Sequence, residues 1–341
     1  MSDNLHDKDM KRSSSLVSSL LLAVVLQVQA SDYRYIRIGS GREISTKAVP
    51  GYALMGGGSD LDEAFRFLCD KGSGGDFLIL RAAGDEDYNS YVNSICKMNS
   101  VATLIIPSRE AANDPRVADI IAHAEAVFIA GGDQARYLNL WQHTPVEEAL
   151  NAHIAAGKPL GGTSAGLAVM GQYIYSAQGD APDDPDLRSA QALADPYFSR
   201  VTVRRDFLKI DLLRNTLTDT HFVRRDRMGR SLVFLARIVQ DGWSASPREI
   251  AVDEKSAVLV ESDGQARVIG PGKGAYFMRV QSESSVCQAG MPLTFHSVAV
   301  YRARRDSRFD LNTWTGSGGV SYSLSVEKGV VTSTQLNGSA Y

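Results

Sequence analysis

The stretch "KPLGGTSAGLAVMGQYIY", Lys158 to Tyr175, decides how the rest of the chain is read. One serine stands among glycines, directly after a short apolar strand and directly before "AGLAVMGQYIYSA", which reads as a helix. Gly162-Thr163-Ser164-Ala165-Gly166 fits the G-x-S-x-G spacing. In that arrangement a sharp strand-to-helix turn lifts the serine hydroxyl out of the sheet, beside backbone N–H groups near a helix start. A tight turn carrying a small polar residue has the same composition, so the choice falls to the surrounding residues.

Outward from this turn, strand and helix signals alternate from about Ile36. "YALMGGGS", "DFLILRAAG", "VATLIIP" and "AVFIAGG" are apolar runs without alternation. "DLDEAFRFLCDKG", "YVNSICKMN", "DPRVADIIAHA" and "DQARYLNLW…VEEALNAHIAAG" carry helical spacing between them. This is the pattern of an α/β fold: a mostly parallel sheet with helices on both faces. Ligands bind beyond the carboxyl ends of such strands, where Gly56-Gly57-Gly58, Gly131-Gly132 and Gly161-Gly162 all fall. "QGDAPDDPDLRSAQALADPY" reads as an Asp- and Pro-rich loop over that edge. From about Glu249 the pattern turns to short strands, with a hairpin signal at Asp263-Gly264. The expected organisation is a leader over 1–30, an α/β domain over 31–283 and a β-rich C-terminal extension over 284–341.

The 341 residues suffice for a substantial core, and 44% hydrophobic with 22% charged residues is ordinary globular composition. A net charge of −3 gives no reason to expect a nucleic acid partner. Lys11 and Arg12 precede the apolar run "LVSSLLLAVVLQVQA", which ends in Val28-Gln29-Ala30. That is the form of a secretory signal cleaved after Ala30, and the run is short for a bilayer span. The expectation is a secreted or periplasmic protein, free of the membrane after cleavage, or a cytoplasmic one if the leader stays. Cys69, Cys96 and Cys287 form neither a disulfide framework nor a metal-ligand spacing, so no metal or cofactor is expected. Pairing of Cys69 with Cys96 is left open.

A serine nucleophile needs a base and an oxyanion site. Of six histidines, His6 lies in the leader, His123 and His153 within helices, His143 at a helix end and His296 in the late β region. His221, in "LTDTHFVRRDRMGR", follows a strand at the same edge, with Asp219 two residues before it and Arg224, Arg225, Arg227 and Arg230 after it. The acid that would orient it is sought among Asp180, Asp183, Asp184 and Asp186 of the loop, with Asp219 as rival. Asp180 is preferred. Four cations opening a helix oppose its dipole, which suggests pairing with acidic loops or binding of a carboxylate.

Taken together, "FIAGGDQARYL", "GGTSAGLAVMG" and "TDTHFVRRDRMGRSL" resemble the cyanophycinase and peptidase E family of serine peptidases, from about Ile36 to Gly270. "EIAVDEKSAVLVESDGQARVIG" resembles that family's closing β segment. The resemblance implies a flavodoxin- or glutamine amidotransferase-like fold, Ser164 as nucleophile, His221 as general base, and an oxyanion hole at Gly132 and Ala165. It also implies substrate contacts at Gln134, Asp219, Thr220, Arg225, Arg227 and Arg230. The implied substrate is the β-linked Asp-Arg unit of cyanophycin, or a related peptide. Thr220 stands where cyanophycinases carry Gln. The family acid is expected in the loop after the elbow helix, as Glu or Asp; this loop holds no Glu, and Asp180 is the nearest match. Alternatives are a peptidase E-like aspartyl dipeptidase and a non-catalytic binding protein of the same fold. A homodimer is one option for its assembly.

Overall fold

The computed structural model describes residues 32–179, 186–281 and 285–341, and these form one compact unit. The leader over 1–30 and Asp180 lie outside the described residues.

The strands gather into two sheets. The centre of the first is five parallel strands in the order Ser100–Ile105, Asp76–Arg81, Ala126–Ile129, Leu160–Thr163 and Gly51–Met55. These are the apolar runs of the sequence, and both of their faces are covered. Ala53 and Met55 pack with Phe65 and Leu68 of the helix Asp62–Lys71 on one side. Tyr52 and Leu54 share a cluster with Val117 and Leu150 of the helices Pro115–His123 and Pro145–Ala155 on the other. The period-2 reversal of side chains explains why each strand reads as unbroken hydrophobic sequence.

The second sheet centres on Thr216–Asp219, which pairs in parallel with Tyr173–Tyr175 and with Arg248–Val252. Its outer face is sealed by the helix Met228–Gln240, where Leu232, Phe234 and Leu235 are fully buried. The expectation of a mostly parallel sheet needs correction here. Beyond the eight strands just given, every pairing in both sheets is antiparallel, including the first strand, Arg34–Gly39. The chain after Arg248 returns through short hairpins, and a short hairpin can join only antiparallel neighbours. The turn at Asp263-Gly264 is one of them, linking Ala257–Glu261 to Gln265–Ile269.

A second correction concerns "AGLAVMGQYIYSA". Only Ala165–Ala168 is helical, and Tyr173–Tyr175 is a strand of the second sheet. Two features stop the helix. Gly171 is pressed against backbone, where an added Cβ would lie 2.7 Å from the Thr216 carbonyl oxygen. The β-prone "YIY" then finds an open edge to pair with.

The β-rich character of the C-terminal stretch is present, but it is woven into the body. Arg308–Asp310 and Thr315–Ser317 extend the first sheet, while Thr294–Ala303, Val320–Glu327 and Val330–Ser333 extend the second. The Phe277 and Phe309 rings, one from each sheet, stack at 3.8 Å between centroids. Tyr341 closes the arrangement. Its ring packs against Phe222 and Tyr276, and its hydroxyl donates to Asp226 at 2.8 Å while accepting the Met228 N–H at 2.8 Å.

Cys69 and Cys96 are joined in a disulfide with 27 residues of sequence separation, tying the helix Asp62–Lys71 to the end of Asp87–Ile95. Cys287 is free and buried. Closing a loop of that length removes unfolded-state entropy worth about 3.5 kcal/mol. The variant Cys69→Ser with Cys96→Ser is therefore expected to unfold at lower urea than the oxidised protein by that amount. Equal midpoints would show that the bond adds nothing to stability.

Candidate functional site

Ser164 occupies the sharp turn between Leu160–Thr163 and Ala165–Ala168 with φ 52° and ψ −119°, a conformation rare for a residue with a side chain. Two glycines make the turn sterically feasible. A Cβ on Gly162 would sit 2.5 Å from the Gly166 carbonyl carbon, and one on Gly166 would sit 2.0 Å from the Ile129 oxygen. The turn is pinned to the neighbouring strand by the Ser164 N–H, which donates to the Met55 carbonyl at 3.2 Å.

His221 arrives from the other sheet, just past the end of Thr216–Asp219. Its Nε2 lies 2.7 Å from the Ser164 Oγ. Its Nδ1 lies 2.7 Å from Oε1 of Glu254, just past the end of the parallel neighbour Arg248–Val252. With the ring proton on Nδ1 donated to the carboxylate, Nε2 is left to accept the serine proton. Burial is the main cause that pushes the His221 pKa down; Glu254 opposes it, and Arg225 and Arg227 add to it. The imidazole is therefore neutral at neutral pH, the state a base requires. Burial disfavours the Glu254 carboxylate, but the His221 hydrogen bond and nearby arginines outweigh this and hold its pKa below the usual value.

Glu254 is the functional residue that sequence reasoning missed. The sequence points to the loop after the elbow, with Asp219 as rival, whereas the carboxylate at His221 Nδ1 comes from "VDE", two acids at a strand end. The sequence shows the two acids after an apolar strand; that this strand runs parallel to the one delivering the histidine, and ends at the same edge, is visible only in the fold. Asp253 serves the same turn, its Oδ1 accepting the N–H groups of Val223 and Arg224, each at 2.9 Å.

Gly56-Gly57-Gly58 is the wedge between the two sheets. The His221 N–H donates to the Gly56 carbonyl at 2.8 Å, and the Lys255 N–H to the Gly57 carbonyl at 3.0 Å. Gly57 has φ +94°, and a Cβ there would lie 2.4 Å from His221 Cε1.

Ser164 and His221 open into a cavity of about 500 Å³. Gly132, Gln134, Ala165, Thr220, Arg225, Arg227 and Arg230 all line it. Asp219 does not. It is 2% exposed and lies behind the arginines, its carboxylate holding Arg230 through two hydrogen bonds at 3.0 and 2.5 Å. Arg227 donates to the Thr220 carbonyl at 2.8 Å and to Asp186 at 2.6 Å, and Arg230 reaches Asp186 at 3.1 Å. Burial, then the Arg230 charge, lowers the Arg227 pKa to about 10. Beneath this cluster Glu249 is fully buried, its Oε1 accepting from Ser231 at 2.5 Å. Burial, with the Asp219 charge, raises its pKa well above the ordinary value. Arg225, with its side chain 43% exposed and only a 3.9 Å contact to Asp186, is the most available cation on the cavity.

The other described histidines stand apart. His123 and His296 pair with Asp119 and Glu327, and His143 is exposed beside Glu147. His153 is buried in hydrogen bonding to the Pro159 carbonyl, and burial pushes its pKa down to about 4. Among the described residues no group of three or more His, Cys, Asp or Glu could hold a metal ion.

Residues 57–198 match the model of Peptidase family S51, a span that includes Ser164 but neither His221 nor Glu254. The cyanophycinase of Trichormus variabilis is 29% identical over 217 residues, 62% of this chain and 65% of that protein. The alignment thus spans a little under two thirds of that relative. The cyanophycinase of Geminocystis herdmanii is 26% identical over 239 residues, 67% of this chain and 79% of that one. A putative peptidase E from Listeria monocytogenes aligns with 66% of this chain and 100% of its own, at 14% identity and a TM-score of 0.41.

Four outcomes are expected for labelling of Ser164 by a fluorophosphonate, which reads serine reactivity without a chosen substrate. Glu254→Gln slows it about 10³–10⁴-fold, because the amide no longer fixes the imidazole tautomer or stabilises its cation. The wild-type rate falls off in acid with a midpoint below about 6.5, the ordinary histidine value. Arg225→Ala removes a positive charge that disfavours imidazolium, so its midpoint moves up. Gly57→Ala lowers the rate at least about tenfold by displacing the ring. A Glu254→Gln protein labelled at the wild-type rate would remove Glu254 from the relay.

Proposed function

We propose, for a chain that belongs to the cyanophycinase and peptidase E family, that it is a serine peptidase hydrolysing aspartyl linkages of the cyanophycin type. The observation that carries this is the unbroken hydrogen-bond relay from Ser164 through His221 to Glu254, opening onto an arginine-rich cavity.

In this mechanism His221 Nε2 takes the Ser164 proton as Oγ attacks the scissile carbonyl. The N–H groups of Ala165 and Gly132 receive the oxyanion. The imidazolium, held by Glu254, then protonates the leaving amine, and the acyl-enzyme is released by a water that His221 deprotonates. Arg225 binds a substrate carboxylate. Arg227 and Arg230 are tied to Asp186 and Asp219, so they shape the wall and its potential. A cationic substrate group is received by Asp186, whose side chain keeps 30% exposure, rather than by the enclosed Asp219. Thr220 presents a short hydroxyl beside Arg227, 3.3 Å away.

Export through the 1–30 leader belongs to the same proposal. The Cys69–Cys96 disulfide supports it, since such bonds persist in oxidising compartments. A secreted enzyme of this kind degrades polymer released by other cells.

The test is incubation of purified cyanophycin with wild type and Ser164→Ala, with products read by mass spectrometry. Wild type is expected to release Asp-Arg dipeptides, and the variant to fall by about 10⁴-fold or more. Release of Asp from Asp-X dipeptides with polymer untouched would move the assignment to an aspartyl dipeptidase. A Ser164→Ala protein as active as wild type would overturn the nucleophile.

A further inference from the structure

A second cavity, of about 600 Å³, meets the relay at its other end. It is lined by Glu254 but not by Ser164 or His221, so it is separate from the substrate cavity. Four cations face it: Arg224, Lys255, Lys273 and Arg304. They come from four segments: the turn after His221, the turn after Arg248–Val252, the loop between Gln265–Ile269 and Ala275–Val280, and the end of Thr294–Ala303. Among the described residues none of the four forms an ion pair. The two carboxylates on the cavity are already engaged. Asp253 accepts two backbone N–H groups, and Glu254 holds the imidazole.

The frame that collects these charges is tightly built. The Gly272 N–H donates to the Lys255 carbonyl and the Asp253 N–H to the Gly274 carbonyl, each at 3.0 Å. A Cβ on Gly272 would lie 2.0 Å from the Glu254 carbonyl oxygen, and one on Gly274 the same distance from that of Ala303. The loop can hold its place only because those residues are glycines. The backbones bearing Lys255, Lys273 and Arg304 are thereby locked together. Four cations thus face one opening whose two carboxylates, Asp253 and Glu254, are committed to the His221 turn and ring, which leaves a net positive charge on the cavity.

We propose that this cavity is an anion site for a multiply charged oxyanion, of the phosphate or polycarboxylate class. Arg224 and Arg304 supply guanidinium forks and Lys255 and Lys273 supply ammonium groups. The anion comes either from free solution or from the carboxylates of a long acidic chain lying across the surface.

The test is calorimetric titration of the whole protein with inorganic phosphate at low ionic strength. One saturable site per chain is expected. Lys273→Glu combined with Arg304→Glu is expected to weaken binding at least tenfold, with circular dichroism and thermal unfolding unchanged to show an intact fold. Arg225→Ala, which alters the substrate cavity, is expected to leave phosphate binding as it was. Repeating the titration in the presence of poly-aspartate assigns the source. Loss of the phosphate signal places carboxylates of a chain in the site, and its persistence leaves the site to a free anion. Absence of saturable binding overturns the proposal. So does binding that survives the double charge reversal and vanishes in Arg225→Ala.

Discussion

The His221 imidazole is the point on which the structure turns. It belongs to one sheet, and the serine it contacts belongs to the other. Its two ring nitrogens are each 2.7 Å from their partners, so neither sheet can shift by even an ångström without breaking a bond. The Gly56–Gly58 turn is what allows this closeness, because any side chain at Gly57 would occupy the ring's space. The packing between sheets, including the Phe277–Phe309 stack, therefore has a chemical purpose as well as a stabilising one.

The arginine cluster shows a different economy. Arg230 is 1% exposed and Asp219 2%, so each is a charge out of water that survives only through the other. Removing one partner strands the other and is strongly destabilising. A residue under that constraint is fixed in place, and fixed guanidinium groups present a constant positive wall to the cavity. Arg225 and Asp186, which keep solvent, are the members able to rearrange around a ligand.

The parallel core was legible in the sequence because both faces of each strand are covered, which leaves unbroken apolar runs between helical stretches. The elbow at Ser164 and the place of His221 at the same edge were legible from spacing and neighbours. Glu254 was not, because its role depends on two strands lying side by side in parallel, and pairing between distant segments leaves no periodic trace. The same limit explains why "QYIY" read as helix: its β partners, Thr216–Asp219 and Val203–Arg205, lie far along the chain. The family resemblance implied Asp219 on the cavity, but the arginines that follow it turn it into their counter-ion.

Tyr341 adds a constraint in time. Its hydroxyl bridges Asp226 and Met228, and its ring lies against Phe222, the residue after His221. Synthesis lays down Ser164 long before Tyr341, so the serine leaves the ribosome while the turn carrying its base still lacks its last support. Ser164 and the finished turn that carries His221 are thus separated by the interval needed to translate the second half of the chain.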